Sequence, residues 1–471
     1  MTLPANTKQV HFIGIGGYGM SALALILLQK GYSVSGSDLK ESLLTASLVK
    51  QGALIKFGHH AANLGAADLV VYSTAVPAAN PELLAARQRG LHLWHRSELL
   101  AALLNNAYGI AIAGAHGKTT TTAMAGLLLE AGGLDPTVII GGVLPAYGSN
   151  ARLGSSRYLV AEADESDSSF TRYYPRIALV TGMEPDHLEH YNNDYKNLKE
   201  AYSRFLTHLP PEGTAIICAA DSQLCALSSY LSCNLVYYAE AGNTPATSAA
   251  GCPTPDYYAT NIKIAGYSST FDLFHRGHLI VSGITLGVPG FHNISNALGA
   301  LALAAELDLD LAACAVALAA FHGVSRRFEI IGTASGITVV DDYAHHPTEV
   351  RATLRAARTI TGTRIICLFQ PHRYTRTASF IDQFARVFTD ADLVLLHSVY
   401  SAGEAPIPGA TAVALAERIR QASGVKVIQN DDIAILEEQA ATTARPGDLI
   451  ITMGAGDITK SAPRILSRLQ N

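Results

Sequence analysis

The chain has 471 residues, 49% of them apolar and 15% charged, with a formal net charge of -5. At about 100–200 residues per domain, this length predicts three domains with ample core-forming material. The mild acidity gives no whole-chain basis for nucleic-acid binding. The polar segment Met1–Gln9 lacks the apolar stretch of a signal peptide. The apolar run Ala22–Leu28 falls well short of the ~20 residues that span a bilayer. The expectation is a cytoplasmic protein, monomer or homodimer, with no nucleic-acid or membrane partner. Cys218, Cys225, Cys233, Cys252, Cys314 and Cys367 form no C-x-x-C pair. They read as reduced, mostly buried thiols, neither a zinc site nor a disulfide scaffold.

In chain order, Val10–Ile15 predicts a strand, followed by a glycine loop, Gly14–Gly19, and an apolar helix from about Met20 to Lys30. A second strand, Tyr32–Ser37, ends at Asp38, and a third covers Leu69–Ser73. This β-α-β order predicts a parallel sheet ending near Asn105–Asn106. Gly109–Ala113 predicts a new strand, followed by Gly114-Ala115-His116-Gly117-Lys118-Thr119 and a helix from about Thr120 to Ala131. Further strands are expected at Arg157–Ala161, Ile177–Thr181 and Thr214–Cys218, a loop over Ala241–Asp256, short β runs at Tyr267–Phe274 and His278–Val281, and a helix near Asn293. After Gly323 the pattern restarts, with strands at Thr338–Val340, Arg364–Phe369, Leu393–His397 and Asp448–Met453 alternating with helical segments.

Gly14, Gly16 and Gly19 complete a G-x-G-x-x-G loop between strand and helix, and Asp38 lies 19 residues beyond Gly19. Such glycines let a diphosphate approach the backbone at a helix N-terminus. Taken alone the loop favours NAD, but the diphosphate of a UDP-sugar satisfies the same physics. The second loop ends in Gly117-Lys118-Thr119 and is a shortened phosphate cradle: backbone N–H groups and Lys118 for phosphate oxygens, Thr119 for Mg²⁺. The usual distal glycine is replaced by Ile112.

Glu162-Ala163-Asp164-Glu165-Ser166-Asp167 and Glu184-Pro185-Asp186-His187 follow two strands expected to neighbour one another. Carboxylates at the carboxyl ends of such strands suit one or two magnesium ions better than a solvated loop. In the last third, Asp341-Asp342-Tyr343-Ala344-His345-His346-Pro347 and Gln370–Arg376 each follow a strand, and Arg373 and Arg376 suit a carboxylate ligand. Arg326-Arg327 reads as phosphate-seeking or as an exposed pair.

These pieces, together with Phe291–Asn296, Gly323–Phe328 and Tyr400–Pro408, resemble the Mur ligases over nearly the whole chain, and the segments after Asp341, Gln370 and Ser401 resemble the L-alanine-adding branch. The family usually has Thr where Ala115 stands, and Asn-Ile-Glu where Gly182-Met183-Glu184 stands. The resemblance implies three α/β domains: a Rossmann-like UDP-sugar-binding domain at 1–106, a central P-loop ATPase domain at 107–322, and a Rossmann-like C-terminal domain at 323–471. It implies ATP-dependent ligation of L-alanine to UDP-N-acetylmuramate, with magnesium as cofactor. Gly14, Gly16, Gly17, Gly19, Asp38 and Ser73 would hold the UDP-sugar. Gly114, His116, Gly117, Lys118, Thr119 and Thr120 would hold ATP, joined by His292, Asn293, Asn296, Arg327 and Asp342. Thr119, Glu162 and His187 would hold magnesium, and Lys118, Glu162 and His187 would carry the chemistry. His345, taken over His346, would place the amino acid with Arg373 and Arg376. Three substrates would draw the domains closed. A tripeptide-recycling ligase on the same UDP-sugar is the alternative within the family. An NAD-dependent dehydrogenase and a non-catalytic nucleotide sensor are the alternatives outside it.

Overall fold

The computed structural model describes residues 2–242, 250–360 and 364–470. The chain packs as two compact units. The first is Met1–Asn261, Phe271–Ile284 and Ser295–Ala320; the second is Ile262–Thr270, Thr285–Ile294 and Phe321–Asn471.

The first unit opens with a parallel sheet of β1 (Gln9–Ile13), β2 (Ser33–Asp38), β3 (Leu54–Phe57), β4 (Leu69–Tyr72) and β5 (His92–His95). Their order is β3-β2-β1-β4-β5, so the chain reverses its winding at β1. The first glycine loop leaves the carboxyl end of β1, the place where such sheets bind ligands. The helix that follows, Tyr18–Gln29, carries no charge, and Met20–Leu27 are all buried. A helix apolar all round must be covered on every side, and this one packs against both β2 and the next sheet's β7 and β8. The Asn150 side chain donates to the Tyr18 carbonyl (2.6 Å) and the Ser21 hydroxyl (2.9 Å) across that seam. One continuous core therefore serves both sheets.

The next sheet contains β6 (Tyr108–Ala113), β7 (Thr137–Leu144), β8 (Ser149–Arg152), β9 (Tyr158–Glu162), β10 (Ile177–Val180), β11 (Thr214–Cys218), β12 (Asn234–Gly242), β13 (Tyr257–Ala265), β14 (Ser268–His275) and β15 (His278–Leu286). Its order is β15-β14-β13-β12-β11-β10-β6-β9-β7-β8. The expectation that the two acidic segments follow neighbouring strands is corrected. Strands β9 and β10 each pair in parallel with β6, which lies between them. Ile112 sits opposite Glu162 and Ala113 opposite Val180, so the phosphate-cradle loop emerges level with both acidic segments.

The second unit carries β16 (Glu329–Ala334), β17 (Ile337–Asp342), β18 (Ile365–Phe369), β19 (Leu393–Leu396), β20 (Lys426–Gln429) and β21 (Leu449–Met453), in the order β16-β17-β21-β18-β19-β20. Only β16 is antiparallel. The fully buried runs of β18, β19 and β21 are those of strands covered on both faces.

A second expectation fails. Cys225 and Cys252, 27 residues apart, form a disulfide with Cα atoms 5.3 Å apart. Their sequence spacing carries no signal: Cys225 lies on the helix Ser222–Ser228 and Cys252 beyond β12. Cys218, Cys314 and Cys367 are buried free thiols, and Cys233 is partly buried. Within the loop expected at Ala241–Asp256, residues 243–249 lie outside the described residues. Among the described residues no helix is long and apolar enough to cross a membrane.

Candidate active site

In the first unit, Gly114 and Gly117 adopt positive φ (132° and 82°), a conformation that glycine reaches without a Cβ penalty. A Cβ on Gly117 would overlap the Asn296 carboxamide, and one on Gly114 would overlap the Thr181 hydroxyl. The helix Lys118–Ala131 begins there, with Thr119 and Thr120 buried in its first turn. Thr181 donates from its hydroxyl to the His116 carbonyl (2.5 Å), and the His116 ring lies 3.4 Å from Glu184.

The Lys118 ammonium donates to the Gly114 carbonyl (2.6 Å) and to both carboxylate oxygens of Glu165 (2.9 and 2.8 Å). Burial alone would lower its pKa, but Glu165 and Asp164 outweigh burial and raise it. Burial raises the pKa of Glu162 and Glu165. Asp164 is partly buried, yet Lys118, Arg96 and the Ser166 N–H hold it at about 2. Glu162 accepts from the Gly141 N–H and from the Thr119 hydroxyl. Arg96, from the helix Arg96–Leu104, donates to Asp164 (3.0 Å) and Asp167 (3.2 Å). Four carboxylates thus gather around two cations, an arrangement that accommodates a further cation. His187, itself at positive φ, engages Asp186 (3.5 Å) and Glu189 (3.8 Å).

At the first glycine loop, the N–H groups of Gly14 and Ile15 donate to the Ser37 carbonyl, and that of Gly16 to the Asp38 carboxylate (2.8 Å). A Cβ on Gly16 would stand 2.9 Å from that carboxylate. Asp38 fastens this loop, and in this arrangement it is not the free ribose acceptor that an NAD site needs. Ser73 is partly buried just past β4.

In the second unit, Asp342 ends β17 and accepts from the N–H groups of Phe328 and Ala344, both at 2.7 Å. Burial raises its pKa to about 6 against the pull of Arg327 and those two donors. The two arginines separate: Arg326 pairs with buried Asp341 (3.1 Å), while Arg327 meets Glu349 (3.3 Å). His292 is pushed down to about 4 by burial, with Arg327 adding to the effect. Asn293 donates to the Pro289 carbonyl (2.7 Å).

His345 and His346 have different settings. His346 caps the helix Pro347–Thr359 and packs edge-on against Phe380. The His345 Nδ1 lies 2.9 Å from the Tyr343 carbonyl and 3.2 Å from Glu349, with the His372 ring 5.8 Å away. Burial lowers the His345 pKa to about 3, so the ring is neutral at ordinary pH. Arg376 is buried with its guanidinium 3.5 Å from His372 Nδ1, while Arg373 caps the helix Tyr374–Phe384 at φ 69°. Sequence reasoning gave no role to Arg96, Glu349 or His372, and took Glu165 only as one of the magnesium-suited carboxylates, not as the partner of Lys118. The repeated carboxylates after β9 were the signal for Glu165; nothing local marks Arg96.

The sequence matches three family descriptions: "Mur ligase family, catalytic domain" over residues 9–108, "Mur ligase middle domain" over 112–304, and "Mur ligase, glutamate ligase domain" over 326–456. It is 45% identical to the UDP-N-acetylmuramate–L-alanine ligase of Anaeromyxobacter dehalogenans strain 2CP-1, covering 99% of both chains. It is also 45% identical to the ligase of the same name from Pelotomaculum thermopropionicum, covering 98% of both. The structure matches UDP-N-acetylmuramate-alanine ligase MurC from Thermotoga maritima with a TM-score of 0.82 at 30% identity, covering 98% of this chain and 99% of that one. It matches the murein peptide ligase Mpl of Psychrobacter arcticus with a TM-score of 0.71 at 27% identity, covering 98% and 99%. Matched by three family descriptions over most of its length and by a relative 45% identical over 99% of it, the chain belongs to the Mur ligase family.

Proposed function

We propose that the chain joins L-alanine to the lactyl carboxylate of UDP-N-acetylmuramate at the expense of ATP. The products are UDP-N-acetylmuramoyl-L-alanine, ADP and phosphate, a step of peptidoglycan precursor synthesis in the cytoplasm. The observation that carries this reading is the 45% identity, over 99% of both chains, to a ligase named for that reaction. The Lys118 loop supports it independently, set between two acidic strand ends.

A carboxylate is a poor electrophile, so ATP first converts it to an acyl phosphate. The protein's part is positioning and charge neutralisation. Lys118 exchanges its Glu165 partner for the phosphate oxygens. Thr119, Glu162 and His187 would hold magnesium, which supplies charge neutralisation at the transferring phosphoryl group. His116, Gly117, Thr120 and Asn296 shape the ATP loop, and His292, Asn293, Arg327 and Asp342 complete nucleotide binding. Gly14, Gly16, Gly17, Gly19 and Ser73 bind the UDP-sugar, with Asp38 holding the loop. His345, Arg373 and Arg376 place L-alanine, whose amine then attacks the acyl phosphate and expels phosphate. The domains concerned are 1–106, 107–322 and 323–471, and their closure on substrates predicts compaction by small-angle scattering.

The likeness to Mpl keeps the tripeptide-recycling reading as second choice. Phosphate release with L-alanine, with a tripeptide and without an amine separates the two.

A further inference from the structure

A cleft of about 580 Å³ opens in the first unit at the amino-terminal ends of β6 and β9, opposite the ends that carry Gly114 and Glu162. Its volume is that of a small-molecule site. Lys30, Arg157 and Arg176 line it and, among the described residues, no carboxylate does, in a protein whose net charge is -5. Among the described residues neither Lys30 nor Arg157 has a carboxylate within ion-pair distance. Among the described residues Arg176 pairs with exposed Glu212, a contact of little net worth.

The cleft also has an aromatic wall. The rings of Tyr108 and Tyr158 stand 5.0 Å apart at 58°, and the Arg157 guanidinium lies 5.1 and 5.3 Å from their centroids. A guanidinium on an aromatic face can contact phosphate and share its stacking surface with a planar ring. The facing wall is held in place. Asp135 accepts from the Ser155 N–H (2.7 Å) and hydroxyl (2.5 Å), and the charge of Asp135 is met by Arg152 at 2.5 Å.

We propose that this cleft binds a nucleotide as an effector, with the phosphates on Lys30, Arg157 and Arg176 and the base on the Tyr108–Tyr158 wall. Its position gives such a ligand leverage. Lys30 ends the helix that follows the first glycine loop, while Asn106 lies in the short link between the first two sheets. The ligand bridges the half that carries the first loop and the half that carries Lys118. It contacts neither loop, since β6 alone spans roughly 20 Å.

The test is titration calorimetry on the full chain held with saturating non-hydrolysable ATP analogue and UDP-N-acetylmuramate. UDP is the probe, and inorganic pyrophosphate is titrated separately. Wild type and Lys30→Ala/Arg157→Ala are compared, so that any exchange at the substrate sites cancels. We expect one further UDP site in wild type, weakened at least ~10-fold in the double variant, and pyrophosphate binding at least ~10-fold weaker than UDP. Basal turnover of the double variant stays unchanged. No further UDP site in wild type, or an equal one in the double variant, overturns the proposal. Pyrophosphate binding as tightly as UDP overturns the assignment of a nucleotide.

Discussion

The Lys118 ammonium lies 2.8 Å from the Glu165 carboxylate, and both groups are largely buried. The cation expected to grip ATP phosphates is therefore also the internal counter-charge of an acidic cluster. Removing it leaves buried carboxylates uncompensated, at a cost of about 3–5 kcal/mol. Lys118→Met is expected to lose at least ~10²-fold in turnover and to unfold more easily. Adding Glu165→Gln should return much of the stability and none of the turnover. Denaturation midpoints and phosphate release measured on both variants check this; turnover retained in Lys118→Met contradicts the assignment.

Gly117 and Asn296 make a second prediction. Gly117→Ala puts a Cβ into the Asn296 carboxamide at a φ of 82°. The loop must shift, and the KM for ATP is expected to rise at least ~10-fold with little change in the KM for the UDP-sugar. The double change Gly117→Ala/Asn296→Gly should relieve the overlap but not the strain at φ, so recovery is partial. An unchanged KM for ATP in Gly117→Ala would place the nucleotide elsewhere.

The Asp342 carboxyl sits at about 6, raised mainly by burial. An acid whose pKa is raised on folding favours the folded state below its unfolded value, and that contribution is lost as pH rises through 6. Its ionised form is the one suited to the two N–H donors and Arg327. At saturating magnesium, kcat/KM for ATP should fall below pH 6 with one ionisation. In Asp342→Asn that limb should flatten, with circular dichroism checking the fold. A limb identical in the variant assigns it to another group.

Glu82 is buried against β1 and β2, accepting from Ser37 (2.6 Å) and Asn63 (2.7 Å) and lying 3.0 Å from His11. Burial would raise its pKa, but these bonds outweigh burial and hold it at about 2 rather than 4.5. A depressed acid stabilises the fold above its unfolded pKa, so this contribution is present above pH 4.5 and fades toward pH 2. It is on the order of 3 kcal/mol. Wild type and Glu82→Gln should differ in unfolding free energy near neutral pH and converge toward pH 2. Parallel curves at all pH values would refute the role.

Much of this architecture was legible in the sequence because the signals are local. Short apolar runs such as Ile365–Phe369 and Leu449–Met453, alternating with helical segments, read as central parallel strands. Both glycine loops sit between strand and helix, as their spacing requires. What escaped depends on pairing at a distance. Strand order put β6 between the two acidic segments, and register brought Glu165 to Lys118. Arg96 reaches Asp164 across 68 residues. The Cys225–Cys252 pair joins two helix-and-loop positions that no local pattern connects. His345 and His346 are adjacent in sequence, and only their surroundings distinguish a helix cap from a ring set beside His372 and Glu349.

The most direct measurement is phosphate release from ATP with magnesium and UDP-N-acetylmuramate, run with L-alanine, with the murein tripeptide and with no amine. Release that requires both the UDP-sugar and L-alanine is the predicted result. Release only with the tripeptide, or none under any condition, would contradict it.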